Sequence, residues 1–568
     1  MLDKLDKALA AACQTLFQVD IKPVFERTDG QFGDYATNVA MQLVAKLDNP
    51  PAGGPREIAE QLAAELQKTA GIIKVDVAGP GFINLTLSDQ ALWQAAKTEP
   101  AKSLAGQVIV AEYSDPNPFK ILHAGHLYTS IVGDAIANLL QNAGADTHRV
   151  NFGGDVGLHV GKTLWAMIKN LGGENPEELA KFKTQGERIA WLATCYIHGN
   201  NAYDDNESAK AAIIELNKRV YKIHSDDDHN SPLAQIYWTT RGWSYDYFDD
   251  FYAQIGSHFE KYYPESAVSD LGLKTVKEQL EKGVFKQSDG AVIFPGEDHD
   301  LHTRVFINSE GLPTYEAKDV GLIMQKWADY HFDRSIVITG NEQMQYMAVV
   351  LKAVEQFEPK LAQATTHLTH GIVKLVGGVK MSSRHGNILR ATEVLKAAHD
   401  ANLEFTGKDD DTVTLGAVKY AFLKQRLGGD IIYDPAESVS IEGNSGPYLQ
   451  YAFARASSIL NKSQAPNSKN QIDSKSQAPN PKLDPAERSL LRKISEYPEA
   501  VDKATAELMP HHICTYLYEL AQTFNRFYEN NRVIDDPRQE LRLQLVTAYA
   551  GVLKHGLGVL NIAAPDKM

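Results

Sequence analysis

Residues 108–140 constrain this chain more than any other stretch. They open with an apolar strand, Val108-Ile-Val-Ala111, and pass through a polar turn carrying Pro116 and Pro118. A helical pattern follows, with Leu127, Ile131, Ala135 and Leu139 recurring every fourth residue. A strand feeding a helix through a tight polar turn is the first half of a nucleotide-binding α/β unit. The unpaired N–H groups and positive dipole end of that helix offer a place for phosphates. His123 and His126 stand three apart at its start, so both imidazoles can face the same way. Gly125, between them, leaves room for a flat base or ribose against the backbone.

A second signal lies far downstream. Lys380-Met381-Ser382-Ser383-Arg384 reads as a short basic loop rich in hydroxyls, after an apolar-rich stretch at 370–376. Such a loop suits the charge that develops on a triphosphate during in-line displacement. The conjunction of H-x-G-H with K-M-S-S-R resembles the paired signatures of the class I aminoacyl-tRNA synthetases. Four further segments narrow the resemblance to the arginyl-tRNA synthetase family: Gly33-Asp34-Tyr35, Glu112-x-x-x-Pro116-Asn117, Pro313-Thr-Tyr315-Glu-Ala-Lys-Asp319 and Gly443-Asn-Ser-Gly-Pro-Tyr448-Leu-Gln-Tyr451. It runs over almost the whole chain.

That resemblance implies a multidomain α/β plus all-α architecture. A small α+β unit at 1–100 would contact tRNA, and a Rossmann-like parallel-sheet catalytic domain would occupy 101–395. A helical connective insertion is expected at about 165–285, a stem at 396–444, and a helical anticodon-binding domain at 445–568. The stretch 461–482 repeats Ser-Gln-Ala-Pro-Asn and is poor in apolar residues, so it is expected to be a disordered insert. The implied reaction is ATP-dependent ligation of L-arginine to tRNA(Arg) through an arginyl-adenylate, with magnesium accompanying the phosphates.

By the same resemblance, His123 and His126 stabilise the transferring phosphate, and Gly125, Lys380, Met381 and Ser382 bind ATP. Glu112 and Asp319 grip the guanidinium with Tyr315 and Gln343 nearby, while Asn117 holds the α-amino group. Tyr448, Tyr451 and Asn84 are candidate tRNA contacts. The second lysine of the family's K-M-S-K-S signature is Ser383 here. Lys120, three residues before His123, is favoured over the adjacent Arg384 as the replacement cation, because an ammonium is a compact charge able to follow a phosphate.

Composition bounds the remaining readings. At 568 residues, two to four domains are expected. A net charge of −15 disfavours a non-specific polyanion binder but permits a local basic RNA surface. Cys13, Cys195 and Cys514 are scattered, which fits a reduced cytoplasmic setting and argues against cysteine-held zinc, hence against a cysteinyl enzyme of the same class. Asp3 and Asp6 spoil a targeting presequence, and no apolar run is long enough to span a bilayer. A monomer without dedicated metal ligands is expected. Gly157-Leu-His-Val-Gly161-Lys-Thr163 has three residues between its glycines where a phosphate loop needs four. A small nucleotidyltransferase would have no use for the C-terminal helices, and a non-catalytic tRNA-binding paralogue would be expected to have lost His123, His126 or the pocket acids.

Overall fold

The apolar strand at 108–111 is the central strand of a five-stranded, all-parallel sheet. The computed structural model describes residues 2–376, 389–463 and 482–568. Its sheet comprises β1 (Val108–Glu112), β2 (Asp146–Gly153), β3 (Lys261–Pro264), β4 (Arg334–Gly340) and β5 (Thr365–His370), in the order β5-β4-β1-β2-β3. Ile109, Val110 and Ala111 are fully buried, as a strand covered on both faces requires. The chain leaves β1 towards β2 on one side, whereas β4 flanks it on the other. Loops from the C-terminal ends of β1 and β4 therefore diverge and leave a crevice at this switch point.

Helix α1 (Ala124–Asn142) packs over the sheet through the stripe read from the sequence. Leu127, Ile131, Ala135 and Leu139 are all buried. It lies unusually close to the end of β1: a Cβ on Gly133 would come within 2.1 Å of the Tyr113 ring. Helix α2 (Tyr315–Tyr330) packs on the helix Glu265–Glu281 at a comparable approach. Cβ atoms on Gly272 and Gly321 would meet the backbone oxygens of Ala317 and Val268 at 2.0 and 2.3 Å. Two glycines thus fix how far α2 leans towards the crevice.

The expected insertion at 165–285 has different limits. Its helices are Leu158–Asn170, Gln185–Asp205, Glu207–Ser225 and Pro232–Ile255, after which β3 rejoins the main sheet beside β2. A four-residue strand, Lys261–Pro264, has too little periodicity to stand out from helices on either side. The segment read as a rejected phosphate loop is the N-terminal part of the first of these helices.

The N-terminal unit is a four-stranded antiparallel sheet backed by the helices Leu2–Phe17 and Gly54–Leu66. Its Gly33-Asp34-Tyr35 segment docks the unit onto the C-terminal helices. The buried Asp34 carboxylate accepts from Arg488 at 2.8 Å, and the Tyr35 hydroxyl donates to Glu499 at 2.5 Å. Arg27 adds two bonds to the same Glu499, at 2.9 and 2.8 Å. The C-terminal unit comprises the helices Gly446–Ser463, Pro485–Ser495, Tyr497–Glu507, His511–Asn530 and Gln539–Val559. Residues 461–463 complete the first of these, which corrects the start of the expected insert. Residues 464–481 lie outside the described residues. The aromatic stripe of 511–530 is largely core, with Phe524 stacked 3.9 Å from Tyr549.

Candidate active site

A cavity of about 1160 Å³ opens in the crevice between β1 and β4. Eight residues singled out from the sequence line it: Glu112, Asn117, His123, Gly125, His126, Tyr315, Asp319 and Gln343. They come from the loop after β1, from α2 and from the turn after β4. Lys120 stands outside that lining, its ammonium 5.2 Å from the centre of the Tyr196 ring. Lys380, Met381, Ser382, Ser383 and Arg384 lie outside the described residues.

The two histidines cap the helix that carries them. The Gly125 N–H donates to His123 Nδ1, and the His123 N–H donates to His126 Nδ1, each at 3.1 Å. These bonds satisfy two of the donors that a helix start leaves unpaired. The rings stack with centroids 3.8 Å apart. With both Nδ1 atoms accepting, the proton of each neutral ring resides on Nε2. Burial, reinforced by the Lys120 charge, lowers His123 to about 4 and drives His126 well below the ordinary imidazole range. Both rings are therefore uncharged Nε2–H donors at neutral pH. A Cβ on Gly125 would come within 2.9 Å of the His123 ring, so the space left by this glycine admits the capping imidazole. That differs from the room for a base or ribose read from the sequence.

His370, at the end of β5, ties the sheet to the same helix. Its Nδ1–H donates to the Gly371 carbonyl at 2.7 Å, and its Nε2 lies 2.6 Å from the Thr129 hydroxyl. Nothing in the sequence distinguishes it from an ordinary strand-end histidine.

The acidic end of the cavity is more elaborate than the sequence indicated. Glu112 is buried and accepts from the ammonium of buried Lys326, which also donates to Ser335 at 3.0 Å. Asp319 accepts the Tyr346 hydroxyl, and its carboxyl is pushed up to about 8 by burial, with Glu112 adding repulsion. Glu265, missed in the sequence, pairs with Lys318 at 2.5 Å in a second buried ion pair. Asn117 Oδ1 accepts from the Gly154 N–H at 2.7 Å. Tyr315 is half exposed, and its hydroxyl lies 3.2 Å from His159 Nδ1. Gln343 is exposed at the start of the helix Met344–Glu355. Lys318 and Lys326 could have been flagged only by knowing which acids face them, because α2 brings residues 53 and 214 positions apart together.

The candidate tRNA contacts lie elsewhere. Tyr451 is exposed, with the Arg455 guanidinium 5.0 Å from its ring centre and 5.7 Å from that of exposed Tyr528. The Tyr448 hydroxyl accepts from Asn525 at 2.8 Å. Asn84 sits in mid-strand, in register with Ala36 and Asp76.

A histidine-capped helix at the switch point of a parallel sheet, facing a carboxylate-lined cavity and joined to a helical C-terminal unit, defines a class I aminoacyl-tRNA synthetase. The family described as tRNA synthetases class I (R), catalytic domain, matches residues 88–434; the arginyl tRNA synthetase N terminal domain matches 3–87 and the DALR anticodon binding domain 449–568. The chain belongs to the arginyl-tRNA synthetase family, and membership makes it an enzyme that ligates arginine to tRNA. An arginine–tRNA ligase of Flavobacterium psychrophilum is 27% identical over 99% of this chain and 99% of its own length. One of Treponema denticola is 28% identical over 94% and 89%. The Thermus thermophilus arginyl-tRNA synthetase structure superposes with a TM-score of 0.78 at 25% identity, covering all of both chains. The Plasmodium falciparum arginyl-tRNA synthetase structure shares the fold at 20% identity, with a TM-score of 0.78 over 100% of this chain and 99% of that one.

Proposed function

We propose that this cavity joins arginine to ATP as an arginyl-adenylate and passes the arginyl group to the 2′-OH of the terminal ribose of tRNA(Arg). The observation that carries the reading is the pairing of two uncharged imidazole donors at one end of the cavity with the Asp319 carboxyl group, which ionises to meet a guanidinium, at the other. The arginine carboxylate attacks the α-phosphate, and charge grows on the equatorial oxygens. Nε2–H donors from His123 and His126 stabilise that charge without needing a proton of their own. Asp319 and the free side of Glu112 receive the guanidinium, whose planar fork of donors bonds carboxylates strongly. Tyr315 and Gln343 border the same cavity, and Asn117 offers its remaining lone pair to the α-ammonium.

Magnesium would accompany the ATP phosphates and offset their charge, with no protein ligand set in the cavity assigned to it. Among the described residues the one group of three ligand-type side chains with atoms within 4.8 Å of one another is His399, Asp409 and Asp411, in the stem rather than in the cavity. The basic loop at 380–384 supplies further charge to the leaving pyrophosphate. Tyr451 and Arg455, with Tyr448 behind them, form a patch whose stacking chemistry suits unpaired bases. No helix among the described residues is long and apolar enough to cross a membrane. We read the enzyme as a cytoplasmic monomer.

ATP–pyrophosphate exchange with each amino acid, with and without tRNA(Arg), tests this. Arginine is expected to support exchange, and lysine to be rejected by ~10⁴–10⁵, as for a site whose polar groups are left unpaired by the wrong substrate. Exchange is expected to be weak until tRNA is added. Equal activation of lysine would overturn the substrate assignment, and full exchange without tRNA would overturn the tRNA requirement.

A further inference from the structure

The segment that follows the helix Gln539–Val559 is tied to the back of α1, the helix whose start carries the two histidines. Asn138 Nδ2 donates to the carbonyls of Gly558 and Val559 at 3.4 and 3.1 Å. One turn earlier on α1, the Asp134 carboxylate accepts from Asn561 Nδ2 at 3.3 Å. The same amide group donates at 2.9 Å to the carbonyl of Gly256, which ends the last helix of the insertion. The Asn561 carbonyl in turn accepts at 2.6 Å from the ammonium of buried Lys419, on the stem helix Asp411–Leu423. Asn561 thus belongs to the C-terminal unit and bonds α1, the insertion and the stem at once. Its φ of 55° suits asparagine, which enters the left-handed region more readily than most residues. Its apolar neighbours Leu560 and Ile562 are buried and hold the segment down, which leaves the Asn561 carboxamide to set its register on α1.

Asp134 passes this attachment on to the cavity. The carboxylate is buried, and its other oxygen accepts from the Tyr113 hydroxyl at 2.7 Å and from Arg149 at 3.2 Å. Arg149 also donates to Asn138 at 2.8 Å, so both attachments to the C-terminal unit share one buried network. Tyr113 stands between Glu112 and Ser114, which line the cavity. Its ring is pressed against α1 at Gly133, where a methyl group would have no room. Close packing of this kind makes the end of β1 and α1 shift together. In a space that excludes water, the loss of one bond in such a network is felt by its neighbours. A change in how the C-terminal unit docks is therefore delivered to the Tyr113 hydroxyl and, one residue away, to Glu112 and Ser114.

We infer that Asn561 is a positioning residue for the reaction: through Asp134 and the Tyr113 hydroxyl, it makes the placement of Glu112, Ser114 and the histidine-bearing helix depend on the docking of the C-terminal unit. This rests on the tRNA-dependent reading above, and it gives tRNA held by that unit a physical route to the cavity.

The test is a double-mutant cycle on the full-length enzyme. Asn561→Gly removes the carboxamide, keeps the carbonyl that Lys419 needs and accepts the left-handed backbone. Tyr113→Phe removes the hydroxyl on the other side of Asp134 and nothing else. Each is expected to lower kcat for ATP–pyrophosphate exchange in saturating tRNA(Arg) and arginine by about 3- to 30-fold, the range of mutations along a coupling network. The KM for tRNA(Arg) is expected to stay within about twofold of the parent. Because the two groups act in series, the double variant should lose no more than the worse single variant. Losses that multiply in the double variant overturn the inference, as does a raised KM for tRNA(Arg) with unchanged kcat. Should Asn561→Gly fold poorly, Tyr113→Phe alone decides: parent-like kcat in that isosteric variant overturns the inference. Full exchange by the wild-type enzyme without tRNA is seen before any variant is compared, and would instead overturn the tRNA requirement itself.

Discussion

Lys326 donates its ammonium to Glu112 in a pair almost entirely withdrawn from water, at the base of the cavity. Removing one member of such a pair leaves the other charge buried and unpaired. Glu112→Gln is therefore expected to lower folding stability by about 3–5 kcal/mol, besides weakening arginine binding. Denaturant unfolding measures the first effect and exchange kinetics the second. A double variant, Glu112→Gln with Lys326→Met, is expected to recover much of the stability but not the binding.

Asp319 is expected to behave in the opposite way. Burial raises its carboxyl to about 8, against about 4 in an unfolded chain, so the folded protein holds this proton where the unfolded one has lost it. The associated stability is complete below about pH 4 and is lost as pH rises through about 8. Asp319→Asn should hence be no less stable than the parent at pH 7 and more stable at pH 9, by thermal unfolding. For binding the sign reverses. A guanidinium requires the ionised form, so the KM for arginine should fall as pH rises towards 8, and the Asn variant should lose that slope. Burial raises the group most; the Tyr346 hydroxyl and the Lys326 charge hold it down, while Glu112 and Glu265 push it further up. Calorimetry in buffers of different ionisation enthalpy should record about one proton fewer released per arginine in the variant.

The double role of His123 allows cap and catalysis to be separated. Asparagine caps helices well but does not reproduce an Nε2–H donor. His123→Asn should keep the melting temperature close to that of the parent while lowering kcat about 10²- to 10³-fold. His123→Ala should lose the same activity and in addition about 1 kcal/mol of stability through the missing cap. Equal stabilities for the two variants would count against the capping role.

Lys120 and Arg384 are competing replacements for the cation missing at Ser383. We expect Lys120→Ala to reduce kcat about 10²- to 10³-fold, corresponding to ~3–4 kcal/mol of transition-state stabilisation. To act, the ammonium must leave its resting position over the Tyr196 ring. Tyr196→Leu should accordingly alter kcat far less than Lys120→Ala. Adding Ser383→Lys to Lys120→Ala should recover part of the loss. A silent Lys120→Ala with a crippled Arg384→Ala would transfer the role to the arginine.

The sequence alone determined the elements whose signal is local. The apolar run of β1, the four-residue stripe of α1 and the paired histidines at its start were legible because periodicity and spacing act over a few residues. The acids at 112 and 319, and the architecture of class and family, were read from the resemblance of whole motifs to a known family. Tertiary structure decided what those groups are. Glu112 is neutralised by Lys326, 214 residues away, and Glu265 became part of the cavity only when Gly272 and Gly321 let two helices close on each other. Asp34 and Tyr35 proved to hold the N-terminal unit against Arg488 and Glu499, more than 450 positions downstream. The limits of the insertion depended on a four-residue strand that only sheet pairing identifies. Charge, proton affinity and hydrogen-bond occupancy depend on which partners share a low-dielectric space, and that is fixed by packing between distant segments rather than by the order of residues.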